Sequence, residues 1–195
     1  MSSLTAEQFK LISNVMYEPL SYIHSDYNVL ASPEENTLWQ KIANRHLIQQ
    51  YQLILHIDCE IDTTVEKIFT HWRTLPRCAL FLGYFYSRHT LLAQNYYHLE
   101  PSLKAFLALY PMLNRSVDSK ISLSLLKDTS PIDIGYQLLF NFIKLISNAL
   151  AQRFKLLFSP KSLSINIEFP KSLVLSPTLF FIGIRLCYAC YLTTF

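Results

Sequence analysis

The stretch Val65–Leu92, VEKIFTHWRTLPRCALFLGYFYSRHTLL, decides the fold class. Val65, Ile68, Phe69 and Trp72 fall at i, i+3, i+4 and i+7, the spacing of one helix face. Pro76 cannot continue that helix, because it lacks an N–H and its ring clashes with the preceding turn. It is tolerated in the first turn of a following helix, and the dense apolar run into Gly83 supplies one. Two helices meeting at a corner are predicted, with Trp72 packed in the angle. From Trp72 onward the basic points are Arg73, Arg77, Arg88 and His89. On periodicity alone a buried helical hairpin is preferred to a binding site.

The flanking segments repeat the pattern of capped amphipathic helices, which predicts an all-α, single-domain irregular helical bundle. Thr5-Ala-Glu-Gln8 has the form of a capping box, and Phe9, Ile12, Val15 and Met16 follow at helical spacing. That helix should stop before Pro19. A loop or single turn then lays Leu20, Tyr22 and Ile23 on the core. Ser32-Pro33-Glu34-Glu35 reads as a helix start, with Trp39, Ile42, Ala43, His46, Leu47 and Ile54 along one face. His46 is expected to be a hydrogen-bonded residue at the core edge. Asp62 starts the helix that leads into the corner, with Thr63 and Glu66 offering a second box.

After Leu92 the chain turns polar, and Glu100-Pro101-Ser102 opens a short helix carrying Leu103, Phe106, Leu107 and Tyr110. Residues 114–128 hold an alternating Ile121–Leu125, read as a loop because a lone strand has nothing to pair with. Ser130-Pro131-Ile-Asp133 starts a long helix with Leu138, Leu139, Phe142, Ile146, Ala149, Leu150, Phe154 and Leu157 on one stripe, bent near Ser147-Asn148 and ended by Pro160. Residues 1–160 are read as the helical domain and 161–195 as an apolar tail holding a last helix. Pro177 and Arg185 interrupt that tail, which tells against a membrane span of about 20 apolar residues.

Composition bounds the function. With 195 residues, 51% hydrophobic and 14% aromatic, the chain can build a proper core. Only 16% of residues are charged, which suggests that part of the surface is covered by partners. A net charge of +3 is too small to argue for nucleic acid, and three glycines leave no phosphate-cradling loop. The start, MSSLTAEQFK, lacks the pattern of a secretory signal, so reduced thiols are expected. Cys187 and Cys190 have CxxC spacing without a second pair; apolar cysteines on a helix are preferred to a metal or redox site. His56-Ile-Asp58 lacks a nucleophile with a positioned base, so a catalytic reading is rejected. No catalytic residue, cofactor or metal is expected. An enzyme would need two of His24, His46, His56, His71, His89 and His98 in one pocket with a carboxylate.

Three segments carry a resemblance. Glu18–His24, EPLSYIH, resembles the "DPLSYIHP" signature of the OrgA/MxiK proteins. His71–Gly83, HWRTLPRCALFLG, is similar to that family's "WRRLPQVAYLLG", and Leu150–Phe158, LAQRFKLLF, to its "LAQRFPLLF". Order and rough spacing agree over about residues 10–160, closer to the OrgA branch. The resemblance implies a soluble, helical, non-catalytic sorting-platform adaptor (SctK) of a bacterial type III protein secretion apparatus, needed for effector secretion and host invasion. It implies a place at the cytoplasmic face of the inner membrane, with no nucleic acid or small-molecule substrate. Its partners would be the cytoplasmic domain of the inner-membrane ring protein and the cytosolic pod protein, and through the pods the stator and secretion ATPase. Candidate interface anchors are Tyr22, Ile23, His24, Trp72, Arg73 and Arg77, since Trp, Tyr and Arg dominate interfaces. For Trp72 a core position is preferred, for Arg73 and Arg77 a place in an interface, since charged residues are rarely fully buried unless paired. The tail departs from the family pattern, and two origins fit: a diverged last helix, which is preferred, or a late frame shift. A membrane-anchored helical protein held by Leu173–Phe195 is the alternative.

Overall fold

The computed structural model describes residues 5–27, 37–91, 96–109, 129–161 and 175–192. These residues form eight α-helices and four short 3-10 turns, and no strand appears among them. The helices are α1 (Ala6–Tyr17), α2 (Thr37–Gln50), α3 (Thr63–Thr70), α4 (Leu75–Leu91), α5 (Pro101–Ala108), α6 (Pro131–Ile146), α7 (Asn148–Lys155) and α8 (Pro177–Leu192). The fold class is all-α. The chain divides into two compact units, Met1–Arg73 with Ile143–Leu163, and Thr74–Phe142 with Ser164–Phe195. The readings of Ser32–Glu35, of Tyr110-Pro111 and of residues 114–128 lie outside the described residues.

Local chemistry sets the helix ends in the first unit. The Thr5 capping box forms in full: Gln8 N–H donates to Thr5 Oγ1 (3.2 Å) and Thr5 N–H to Gln8 Oε1 (2.9 Å). α1 buries Ile12, Val15 and Met16. Phe9, expected on the same face, is 65% exposed, although α3 reaches α1 at the neighbouring Gln8. Asp62 caps α3, its Oδ1 accepting from Val65 N–H at 2.8 Å. Glu66 does not complete a second box; its carboxylate accepts from Gln8 Nε2 at 2.8 Å and so links α3 to α1.

α2 departs further from expectation. It ends at Gln50, so Ile54 lies beyond it, and Ile42 and His46 are exposed while Leu47 is the residue it buries. The ending is a Schellman turn: Gln52 has φ 49°, Leu53 N–H donates to Ile48 O (3.0 Å) and Gln52 N–H to Gln49 O (3.2 Å). The long stripe after Ser130 is two helices. Ser147 leaves helical geometry (φ −156°, ψ 126°) and its hydroxyl accepts from Leu150 N–H, capping α7.

The second unit is packed through small residues. A Cβ at Gly83 would lie 1.6 Å from Pro131 O, and one at Gly135 would lie 1.6 Å from Ala79 O. Ala79 and Gly83 on α4, and Pro131 and Gly135 on α6, are thus paired one turn apart on crossing helices. Nothing larger than hydrogen fits at either glycine. α8 packs on α4 and α5, and a Cβ at Gly183 would lie 3.2 Å from Cys78 Sγ. Phe106 meets Phe81 and Phe85 with ring centroids 5.6 and 5.5 Å apart. Burying each such ring contributes about 1.5–3 kcal/mol.

Candidate interaction site

The residues that carry the family resemblance in the first unit converge on the end of α1. A helix leaves its last carbonyls without intrahelical donors. Here three of them find one. Asn14 O accepts from Glu18 N–H (3.0 Å), and Val15 O from the Tyr22 hydroxyl (2.9 Å). Met16 O accepts from Arg153 Nε (3.1 Å) and Nη2 (2.8 Å). Arg153 Nη1 also donates to Ala149 O at 3.0 Å. A cation at a helix C-terminus is favoured by the helix dipole as well.

Arg153 is 0% exposed. Burial lowers its pKa, against a smaller opposing pull from Tyr22, Tyr17 and Asp58. Burial pushes the Tyr22 hydroxyl well above its ordinary range, with Arg153 pulling the other way. The Tyr22 ring meets Trp72 edge-on, centroids 5.6 Å apart at 77°. Trp72 is 3% exposed. The Leu20 N–H donates to Asn44 Oδ1 (2.8 Å) and the His24 N–H to Leu156 O (2.8 Å). Tyr27 donates its hydroxyl to Lys155 O (3.3 Å) and sets its ring edge-on to Tyr51. Its pKa is pushed up to about 12, first by burial and then by Tyr51.

A second set of caps lies at the start of α7. Asp58, from the segment between α2 and α3, accepts from the Ser147 hydroxyl and from Asn148 N–H (2.9 Å) and Ala149 N–H (3.4 Å). Burial raises its pKa, but these hydrogen bonds together outweigh burial and hold the carboxyl below its ordinary value. Gln152 Oε1 accepts from Ile54 N–H at 2.9 Å. Asp58, Gln152 and Arg153 are structural side chains that sequence reasoning misses, since a side chain that bonds to a distant element leaves no local spacing signal.

Of the six candidate anchors, Trp72 faces the interior and Tyr22, Ile23 and His24 are half-buried. Arg73 is exposed. In the second unit Arg77 is engaged: Nη2 donates to both Glu100 oxygens (3.0 and 3.1 Å), and its guanidinium lies 5.8 Å from the Phe81 ring centroid. Cys187 is fully buried there beside Cys78. The hydrogen bond that the Cys78 thiol donates to Cys187, and then burial, hold that thiol well above its ordinary value. A thiol kept protonated is a poor nucleophile and metal ligand. Among the described residues no three His, Cys, Asp or Glu side chains gather in a way that would hold a metal ion.

Among the described residues no helix is long and apolar enough to cross a membrane. α8 has 16 residues and so spans about 24 Å, against about 30 Å of bilayer hydrocarbon.

This arrangement defines an all-α scaffold whose most distinctive side chains close helix ends. A family model described as bacterial type III secretion apparatus protein (OrgA_MxiK) matches residues 12–181, and the chain belongs to that family. The match reaches past Pro160 into α8. Comparison with curated proteins and with solved structures gives no match.

Proposed function

We propose that this chain is the non-catalytic adaptor of a type III secretion apparatus. It would link the cytoplasmic domain of the inner-membrane ring to the cytosolic pod protein, at the inner face of the inner membrane. Effector secretion, and with it host invasion, would depend on that link. The observation that carries this reading is the family match over residues 12–181. The helix-end caps support it, because Tyr22, Trp72 and Arg153 come from the resembling segments and give a rigid body for presenting surfaces. Arg73 is the exposed member of the anchor set in the first unit and the first choice for contact with a partner. That the family match runs into α8 supports a diverged last helix over a frame shift beginning before residue 181.

The test is co-expression of the tagged chain with the ring protein's cytoplasmic domain and with the pod protein, separately. Both should co-purify. A folded chain that captures neither overturns the reading. Trp72→Ala should lower the melting temperature along with any binding, at a cost of about 3–5 kcal/mol of stability. Arg73→Ala should leave the melt unchanged while weakening capture.

A further inference from the structure

One face of α2 is exposed to solvent along its length. Leu38, Lys41, Ile42, Arg45 and Gln49 fall at i, i+3, i+4, i+7 and i+11, so they share one side of the helix. All five are exposed, and Leu47, on the opposite side, is the residue that α2 buries. Leu38 is 65% and Ile42 59% exposed, two aliphatic side chains one turn apart. Lys41 and Arg45 flank them, also one turn apart. Thr37–Gln50 contains no Asp or Glu, and the ion pairs among the described residues involve neither cation.

We infer that this face docks an acidic amphipathic helix of a protein partner, one that carries aliphatic side chains and carboxylates a turn apart. The inference rests on the adaptor reading, which supplies protein partners, and it names the surface one of them would use. Cations at i and i+4 match carboxylates at the same spacing on a partner helix, and each such pair gains from charge-assisted hydrogen bonding. Leu38 and Ile42 form the short ridge that a facing helix groove receives. A second copy of this chain fits poorly, because a twofold contact through this face would bring Lys41 and Arg45 against like charges. An anionic membrane is also a weaker match, since lipid-binding helices present clusters of about 4–8 Lys or Arg.

The experiment uses the full chain and two variants, K41E/R45E and Ile42→Ser. Each is titrated with the purified ring-protein domain and with the purified pod protein, at about 0.05 M and about 0.3 M salt. For the double variant, binding to one of the two proteins is expected to weaken at least about tenfold, more at low salt, with the melting temperature unchanged. Ile42→Ser should weaken the same partner without changing the salt dependence. If both variants bind both proteins like the wild type, the inference is overturned and the adaptor reading stands. If the wild type binds neither protein, the adaptor reading fails. The face is then judged with a synthetic acidic amphipathic helix: equal binding to wild type and double variant overturns the inference by itself, and loss in the variant sustains it. Binding to vesicles of phosphatidylcholine and phosphatidylserine, abolished in the double variant while both proteins still bind, would assign the face to lipid and overturn it. Self-association abolished by the same change would assign it to a second copy, with the same result.

Discussion

The two units hold their helices together by opposite means. In the first, polar side chains reach across to helix ends: Arg153 and Tyr22 to the last carbonyls of α1, Asp58 and Ser147 to the first N–H groups of α7. In the second, helices meet along their flanks at places where side chains are missing or small: Gly83 on Pro131, Gly135 on Ala79, Gly183 on Cys78. The first arrangement is sensitive to loss of a donor or acceptor and tolerant of added volume at the surface. The second is sensitive to added volume at its helix crossings. A stability defect in this chain therefore has a different chemical cause depending on the unit in which it arises.

The largest effect should come from adding one carbon to the second unit. Gly83→Ala places a methyl group inside contact distance of a backbone carbonyl, which cannot rotate away. It should cost more than about 3 kcal/mol, read by urea unfolding. A loss below about 1 kcal/mol would mean that the helices separate easily and that the flank contact is not what holds this unit. Next comes Arg153→Met, which keeps the volume and removes the donors. It leaves Met16 O and Ala149 O buried, while sparing the cost of a buried cation, so a loss of about 2–3 kcal/mol is expected. Hydrogen exchange should locate the loosening at the end of α1; a uniform change across both units would erase the contrast.

Asp58→Asn is smaller and carries a pH signature. The folded carboxyl titrates below its ordinary value. Its stabilisation is therefore full above the unfolded value of about 3.9 and is lost as pH falls through the lower folded value. The variant should be less stable than the wild type by about 1 kcal/mol at neutral pH. Its melting curve should converge on the wild-type one toward about pH 2. Parallel curves would remove the capping role. Smallest, and of opposite sign, is Gln52→Gly. Residue 52 sits at φ 49°, where a side chain is strained. The variant should gain roughly 0.5–1 kcal/mol, seen as a higher melting temperature. No gain would mean that Gln52 makes up the strain elsewhere.

Most helix starts are legible because they are local. Thr5, Asp62, Pro101 and Pro131 act within one turn of their own helix, and their residue types say so. Ser147 is legible only as a bend, since a capping serine inside an apolar stripe does not disturb the period on either side. α2 misleads for a related reason. Its apolar residues suggest an inward face, but Leu38 and Ile42 point away from the residue that α2 buries, and periodicity carries no sign for in or out. Arg153 and Asp58 are not legible at all as caps: their partners lie 137 and about 90 residues away in sequence, and any chain with an arginine or an aspartate would look the same.

Because α7 completes a body that begins at α1, the first unit is discontinuous along the chain, with Thr74–Phe142 set between its two parts. During synthesis, α1 leaves the ribosome with Met16 O uncapped and waits for Arg153. At about 5–20 residues per second, the intervening 137 positions take about 7–27 s to appear. Through that interval the apolar face of α1 lacks one of its covers, and a nascent chain halted before α7 is a ready substrate for proteases and holding chaperones. The amount of this protein in a cell is thus tied to how promptly its last third follows its first.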